Sequence, residues 1–322
     1  MWAGVNSYFL YSLPESDQET ILSALADAGV KTVRIFLTSF SPGGKGTTAR
    51  GSTDLELDTC GDYNDSVLDQ VDAMLPLLSK HGIRLLIAMH DRWNLDGTWG
   101  ICDAYCQKYM GGSGKDLRAF YASEEAQAQF DKRLAHVARY ESKTMGGRAW
   151  MDLPEVIYAL EIQNEGQGTS NGIDQFSNPD WWCGRATALR AVMGDSQVKI
   201  STGGGQDFGH SILDNNFACK ALDVIALHSY ESDMGTIQKN LADAQNKAQA
   251  QGQVIIFEEF GVQGGKADFI AKVGALANSM GIPWMPWEVS NPSAKSDYEF
   301  WMDDSETWSA LTKYAKAAVG SY

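Results

Sequence analysis

Eight short apolar runs, separated by stretches long enough to hold a helix, constrain this chain more than any other feature. The runs are Gly4–Leu10, Lys31–Leu37, Arg84–His90, Val156–Asn164, Val198–Gly204, Asp223–Tyr230, Val254–Gly261 and Trp284–Val289. Between and after them, Asp17–Ala28, Ser66–His81, Ser123–Tyr140, Met234–Gln251, Ala267–Met280 and Ser305–Val319 place apolar residues at three- and four-residue spacing, the period of an amphipathic helix. Strand and helix alternating eight times predict an α/β fold of the (β/α)8 TIM barrel type. A doubly wound open sheet is the competing arrangement, but no Gly-x-Gly-x-x-Gly follows the first run. Gly203-Gly204-Gly205 after the fifth run lacks the Lys-Ser/Thr of a phosphate loop, so it reads as a tight strand exit.

A length of 322 residues suits two ordinary domains or one barrel of about 250 residues with loop insertions. No Pro/Ser/Gly-rich linker or charge block divides the chain, which predicts a single barrel domain over residues 1–322. The insertions fall at Thr38–Tyr63 and Asp91–Leu117, after the second and third strands, on the face where barrel enzymes bind substrates. A net charge of −15 argues against a nucleic-acid partner, whose phosphates attract clustered Lys and Arg, whereas a neutral polymer meets no repulsion. No apolar stretch reaches the roughly 18 residues of a membrane span, and the amino terminus lacks a signal-peptide layout.

The five cysteines, Cys60, Cys102, Cys106, Cys183 and Cys219, fall in expected loops or element ends, which suits disulfides. Cys102 and Cys106 have no nearby His to complete a zinc site, so they are expected to bridge one another. Cys183 and Cys219 are expected to form a second bridge, leaving Cys60 free. With the sequon Asn64-Asp65-Ser66, the cysteines point to a secreted, mature chain whose signal has been removed; it is expected to be a monomer.

Two carboxylates close two of the apolar runs: Glu165 ends the fourth and Glu259 the seventh. Period-two alternation puts Glu161, Gln163 and Glu165 on one face of the fourth strand, and Val156, Tyr158, Leu160 and Ile162 on the helix-facing side. On the seventh strand the same rule aligns Ile255, Phe257 and Glu259 and turns Glu258 away with Val254, Ile256 and Phe260. Two carboxyl groups meeting at the carboxyl ends of barrel strands match the needs of glycoside hydrolysis, where one holds a proton and the other attacks; a spacing near 5 Å is expected.

The ordered set of Arg34, His90, Asn164-Glu165, His228-Ser-Tyr230, Glu259-Phe-Gly and Trp287 resembles glycoside hydrolase family 5, along the whole chain from first strand to eighth. Gly166 departs from the Pro that often follows the Asn-Glu pair. The resemblance implies a retaining hydrolase of β-linked poly- or oligosaccharide that uses no metal or cofactor, with Glu165 as acid/base and Glu259 as nucleophile. It implies that Arg34 and Tyr230 stabilise the Glu259 charge and that Asn164 donates to a substrate hydroxyl. His90 and His228 would hold hydroxyls and orient the carboxylates, and Trp287 would offer a flat face to a sugar ring. Trp93, Trp99, Trp181 and Trp182 stand in the expected substrate-side loops as sugar platforms or as loop anchors. The opening Gly4-Val-Asn-Ser-Tyr-Phe-Leu resembles fungal-type mannanases and favours β-1,4-mannan. A β-glucanase, an exo-acting glycosidase and a carbohydrate-binding barrel without catalysis are the alternatives.

Overall fold

The structure is a computed structural model that describes residues 1–112, 116–170, 173–174, 176–291 and 297–318. Eight strands form one parallel sheet in chain order: β1 (Gly4–Asn6), β2 (Thr32–Phe36), β3 (Arg84–Ala88), β4 (Ile157–Glu161), β5 (Lys199–Ser201), β6 (Val224–His228), β7 (Val254–Phe260) and β8 (Trp284–Pro286). A parallel bridge between Ala3 and Trp284 joins the last strand to the first, so the sheet curls into a barrel. Each strand lies within its apolar run. Nearly continuous Val, Ile and Leu suit strands covered on both faces.

Outside the sheet pack α1 (Glu15–Asp27), α2 (Ser66–His81), α3 (Glu124–Arg139), α4 (Trp181–Met193), α5 (Met234–Gln251), α6 (Lys266–Met280) and α7 (Ser305–Ala317). Six of the seven match the periodic stretches within two residues; Val319, at the end of the last, lies outside the described residues. Ser123, Asp233 and Asp304 each cap a helix by accepting a hydrogen bond from a first-turn N–H, which fixes where α3, α5 and α7 begin. α4 was not among the expected helices. Between β5 and β6 the crossover is made by two short helical segments, Phe208–Ser211 and Asp214–Ala218.

The barrel interior has two layers. Trp2, Leu86, Tyr158, Ala159, Val224, Ile256 and Met285 form an apolar plug separate from the larger core between sheet and helices. Toward the carboxyl ends of the strands the interior becomes polar, with Asn6, Arg34, Glu161 and Glu258 all fully buried. Strict alternation misplaces two of these residues. Register shifts leave Tyr158 opposite no residue of β3 and Glu258 opposite no residue of β6. Tyr158 therefore lies inside, edge-on to Trp2 at 5.2 Å, not on the helix-facing side. Glu258 also turns inward, together with Ile256, so the expectation that it points away with these neighbours is overturned.

Both long loops are anchored. Asp54 and Glu56 of the first are buried and paired with Arg133 of α3 at 3.0 and 3.3 Å. The second contains the helical segments Trp93–Asp96 and Ala104–Met110. Cys102 and Cys106 are joined by a disulfide, as are Cys183 and Cys219, and Cys60 is free, as the sequence suggested. The Cys183–Cys219 bridge spans 36 positions and ties α4 to the β5–β6 crossover, whereas Cys102–Cys106 spans four. Loop-closure entropy then predicts that replacing Cys183 and Cys219 by Ser costs about 3–4 kcal/mol, against about 2 kcal/mol for the Cys102/Cys106 pair. Urea unfolding of the two double variants measures this, and the reverse ranking would contradict it.

Candidate active site

The site grows out of the strand ends. β2 carries Arg34 into the barrel at the level where β4 delivers Glu161 and β7 delivers Glu258 and Glu259. Arg34 Nη1 donates to Glu259 Oε2 at 2.9 Å and to Asn6 Oδ1 at 3.2 Å, and Nη2 to Asn164 Oδ1 at 2.7 Å. Its Nε lies 3.1 Å from both Glu161 oxygens and 3.3 Å from Glu258 Oε2. Tyr230, just beyond β6, donates its hydroxyl to the other Glu259 oxygen at 2.8 Å. Both oxygens of Glu259 are thus held by fixed donors.

Glu165 follows β4 in the left-handed region, with φ of 49°. Its N–H donates to the Gly203 carbonyl at 3.0 Å, and the preceding Asn164 N–H to His90 O at 2.9 Å. Trp93 Nε1 donates to Glu165 Oε2 at 2.7 Å, so this tryptophan touches a carboxylate as well as lining the cleft. His228 Nδ1 stands 3.4 Å from Glu165 Oε1 and 3.5 Å from Glu259 Oε2. One oxygen of each glutamate and a ring nitrogen of His228 lie within 4.8 Å of one another. Arg34 already supplies a cation against the outer oxygen of this trio. Glu165 and Glu259 retain 6% and 5% exposure, at the floor of a cleft edged by the partly exposed rings of Tyr8, Trp93, Tyr230 and Trp287. Trp287 stacks on Tyr8 at 5.5 Å and an interplanar angle of 9°.

Two expectations fail here, and one open alternative is decided. His90 does not reach the cleft: it is fully buried, with Nε2 on Asp103 Oδ2 at 2.6 Å and Nδ1 on Gln163 Nε2 at 3.0 Å. It anchors the strand ends and the Cys102–Cys106 loop, since Asp103 also caps the helix at Cys106 N. His228 is likewise fully buried, which leaves it the role of orienting carboxylates and not that of holding hydroxyls. Trp181 and Trp182 are no platforms, because the amino-terminal turn of α4 turns both rings into the core. Trp181 packs on Tyr121, Phe120 and Phe130, and a Cβ on Gly166 would come within 2.9 Å of the Trp182 ring. That contact accounts for Gly at the position after Glu165. Trp99 is 72% exposed, 6.0 Å from Trp93, and remains free to meet a ligand.

The sequence assigns no role to Asn6, Tyr8 or Asp91, and places Glu161 on the face of Glu165 without assigning it one. Asp91 accepts from Asn164 Nδ2 at 2.9 Å and so fixes the amide that faces the cleft; the only sequence signal was its place just after His90. Burial pushes Asp91 up to about 6.

The electrostatics follow from crowding four carboxyl groups around two cations. Burial pushes Glu161 up to about 8 against the pull of Arg34. Burial would lower His228, but Glu259, Glu165 and Glu258 outweigh it and raise the imidazole to about 9. Burial would also raise Glu165, yet the hydrogen bond and charge of His228, helped by Arg92 and Trp93, hold it below the usual glutamate range. Burial, with the Glu165 charge, raises Glu259 despite His228, Arg34 and Tyr230. Glu288, next to Trp287, is pushed by burial to about 8 against its partner Lys45.

These raised groups bind protons more tightly in the folded than in the unfolded chain, so their contribution to stability is lost as pH rises. For Glu161 and Glu288 the loss runs from about 4.5 to about 8, and for His228 from about 6.5 to about 9. Denaturant midpoints are therefore expected to fall steadily between pH 5 and 9, and His228→Gln to flatten the upper part of that decline. A midpoint that rises across this window would refute the assignment.

Comparison with known proteins places this geometry. Residues 15–277 match the family described as GH family 5 beta-mannosidase-like. The chain is 24% identical over 290 residues to a probable mannan endo-1,4-β-mannosidase F of Aspergillus flavus, and 25% over 285 residues to a probable mannan endo-1,4-β-mannosidase A-1 of Aspergillus terreus. The matches cover 82% and 81% of this chain but 57% and 67% of those proteins. The chain thus spans little more than half the length of the first. An endo-1,4-β-mannanase structure from Rhizomucor miehei shares the fold, with a TM-score of 0.78 at 17% identity, covering 98% of this chain and 94% of that one. With more than half its residues matched and the barrel and its strand-end carboxylates in place, the chain belongs to glycoside hydrolase family 5, in the β-mannosidase-like group.

Proposed function

We propose that this chain is a retaining endo-β-1,4-mannan hydrolase: a single catalytic barrel over residues 1–322, secreted and monomeric, in which Glu259 is the nucleophile and Glu165 the acid/base. One observation carries the reading. The two carboxyl groups that end β4 and β7 approach within 4.8 Å, close to the 5–5.5 Å of retaining enzymes and far from the roughly 6.5–9.5 Å that would admit a water between them.

The roles follow from the surroundings. Arg34 and Tyr230 donate to both oxygens of Glu259, which aligns a carboxylate for attack on an anomeric carbon and receives charge again when the bond to the enzyme breaks. Glu165 faces the other side of the cleft, where Trp93 holds one oxygen and the second is turned toward His228. In the free chain His228 holds Glu165 below the usual glutamate range despite burial, and burial raises Glu259, the reverse of the order these roles need. Glu165 must therefore draw its proton from His228 to protonate the leaving oxygen, and it then takes a proton from the water that releases the glycosyl group. Asn164, held by Arg34 and Asp91, keeps one amide hydrogen for a sugar hydroxyl. Trp287 braces the sugar ring, and Trp99 extends the surface toward further units. Mannan is the substrate class named for both Aspergillus relatives, and their agreement with the opening segment of this chain supports it. The two disulfides support secretion.

Reducing-sugar release from mannan, β-glucan and galactan tests the substrate, with mannan expected to give the highest kcat/KM and internal cleavage to produce a mixture of oligosaccharides. Release of monosaccharide alone would mark an exo enzyme. No release from any of the three would leave a binding-only barrel. Glu259→Ala is expected to lose at least about 10⁴-fold in kcat and, with azide, to yield a glycosyl azide of inverted configuration from an activated substrate. Glu165→Ala is expected to retain activity mainly on substrates whose leaving group needs no proton, and with azide to yield a product of retained configuration. Exchange of these two azide products between the variants would reverse the assignment.

A further inference from the structure

We propose that Glu258, next to the nucleophile in sequence, is a positioning residue for the catalytic proton: through His228 it holds in reserve the proton that Glu165 delivers to the leaving group. This rests on the acid/base reading of Glu165 and adds to it the path by which that residue is loaded.

Glu258 is fully buried, and nothing about a solvated strand end accounts for it. The register shift between β6 and β7 turns both Glu258 and Glu259 inward, and Asn6 Nδ2 pins the Glu258 carbonyl at 2.9 Å. Its Oε2 lies 3.0 Å from His228 Nε2, while its Oε1 has no partner among the described residues. An ionised carboxylate only accepts, so Nε2 carries a hydrogen and the tautomer of His228 is fixed. Nδ1 then looks between Glu165 Oε1 and Glu259 Oε2, at 3.4 and 3.5 Å.

An Nδ1 lone pair facing two carboxylates would be repulsive. Two arrangements with the same number of protons avoid this. Either Nδ1 is protonated and both glutamates are ionised, or His228 is neutral and Glu165 donates a proton to Nδ1. The two differ by a transfer along one hydrogen bond. The charge of Glu258 favours the imidazolium and thereby decides where the proton waits. The other charged groups around the ring are Glu161 of β4, which burial keeps near neutral, and Arg34 of β2, which opposes the imidazolium. On the remaining side stands Gly204, just beyond β5, where a Cβ would come within 2.4 Å of the ring, so that position brings no side chain to His228.

The cycle balances. The Nδ1 proton passes to Glu165 Oε1 and on to the glycosidic oxygen as the bond from that oxygen to the anomeric carbon breaks and a bond to a Glu259 oxygen forms. In the second half, water adds to the anomeric carbon as the Glu259 bond breaks. Glu165 accepts the water's proton and returns it to His228. No oxidant, reductant or metal enters.

Glu258→Gln keeps the shape and removes the charge. The pH profile of kcat/KM on mannan should keep its form, but its alkaline limb should move down by about one pH unit, the effect of removing one opposite charge at contact distance. In parallel, the protein labelled with 15N-histidine should show His228, one of five histidines, doubly protonated to near pH 9 in the unmutated chain and to about one unit lower in the variant. A uniform fall in rate with an unmoved limb, or a His228 ring that loses its proton at the same pH in both proteins, would overturn the proposal. If Glu258→Gln does not fold, the unmutated protein decides: His228 doubly protonated at pH 8 supports the proposal, and His228 neutral at pH 7 overturns it. An unmutated protein that cleaves no glycan defeats the hydrolase reading, while the nitrogen signals still report whether Glu258 governs the His228 proton.

Discussion

A single buried guanidinium organises the catalytic end of this barrel. Arg34 contacts side chains from β1, β4, β7 and the turn after β4, and every one of its nitrogens has an oxygen partner within 3.3 Å. A charge with no access to water is tolerated only when its hydrogen bonds are fully satisfied, so the strand ends must meet it in register. The planar fork of Arg fixes directions as well as distance, which an ammonium on a flexible stem cannot do. Arg34 also makes it possible to bury Glu161, Glu258 and Glu259 within one strand layer. The neighbouring His228 exists in its raised, proton-holding form because those carboxylates exceed the cations.

Much of this was legible in the residues, and the failures have identifiable causes. The eight apolar runs and six helices were readable because burial imposes a period on composition. The meeting of Glu165 and Glu259 at one end of the barrel was also expected from the sequence, but for Glu259 the reasoning from alternation was unsound. Strict parity sends Glu258 outward, whereas one unmatched residue between β6 and β7 brings two successive carboxylates inside. Register is a property of the strand pair, and nothing in one strand's sequence announces the slip. The same cause misplaced Tyr158. In the sequence Trp181 and Trp182 stay open between platform and anchor, because an aromatic pair in an expected loop can serve as either, and only the unforeseen start of α4 decides. His90 looked like a substrate ligand because its partners, Asp103 and Gln163, converge on it only in three dimensions.

The cleft walls gain order from buried charge in the same way as the floor. Arg133 of α3 reaches under the loop after β2 to hold Asp54 and Glu56, and Tyr105 of the next loop also donates to Glu56. Farther along, Lys45, itself in left-handed backbone at φ of 53°, ion-pairs with both Glu288 and Glu299 and lies 5.6 Å over Tyr8. The loop after β2 is thereby fastened to the end of β8 beside the Trp287–Tyr8 stack. Anchored loops of this length present a preformed surface, so an extended ligand meets aromatic faces whose ordering cost was met on folding.

Glu165 is one of three non-glycine residues in left-handed backbone, with Lys45 and Gln167, among the described residues. A non-glycine residue in the left-handed region costs about 1–2 kcal/mol and persists only where its surroundings leave no alternative. Here the Glu165 N–H is tied to Gly203, and Gly203 can approach so closely only because it lacks a Cβ, which would lie 2.2 Å from the Gln163 carbonyl oxygen. Gly204 opens the space that the His228 ring fills, and the Cβ-less Gly166 lets the chain pass over Trp182. Two of the three glycines that read as a tight strand exit, Gly203 and Gly204, thus do more than end a strand. They let the segments after β4 and β5 close on β6 until Glu165 and His228 meet.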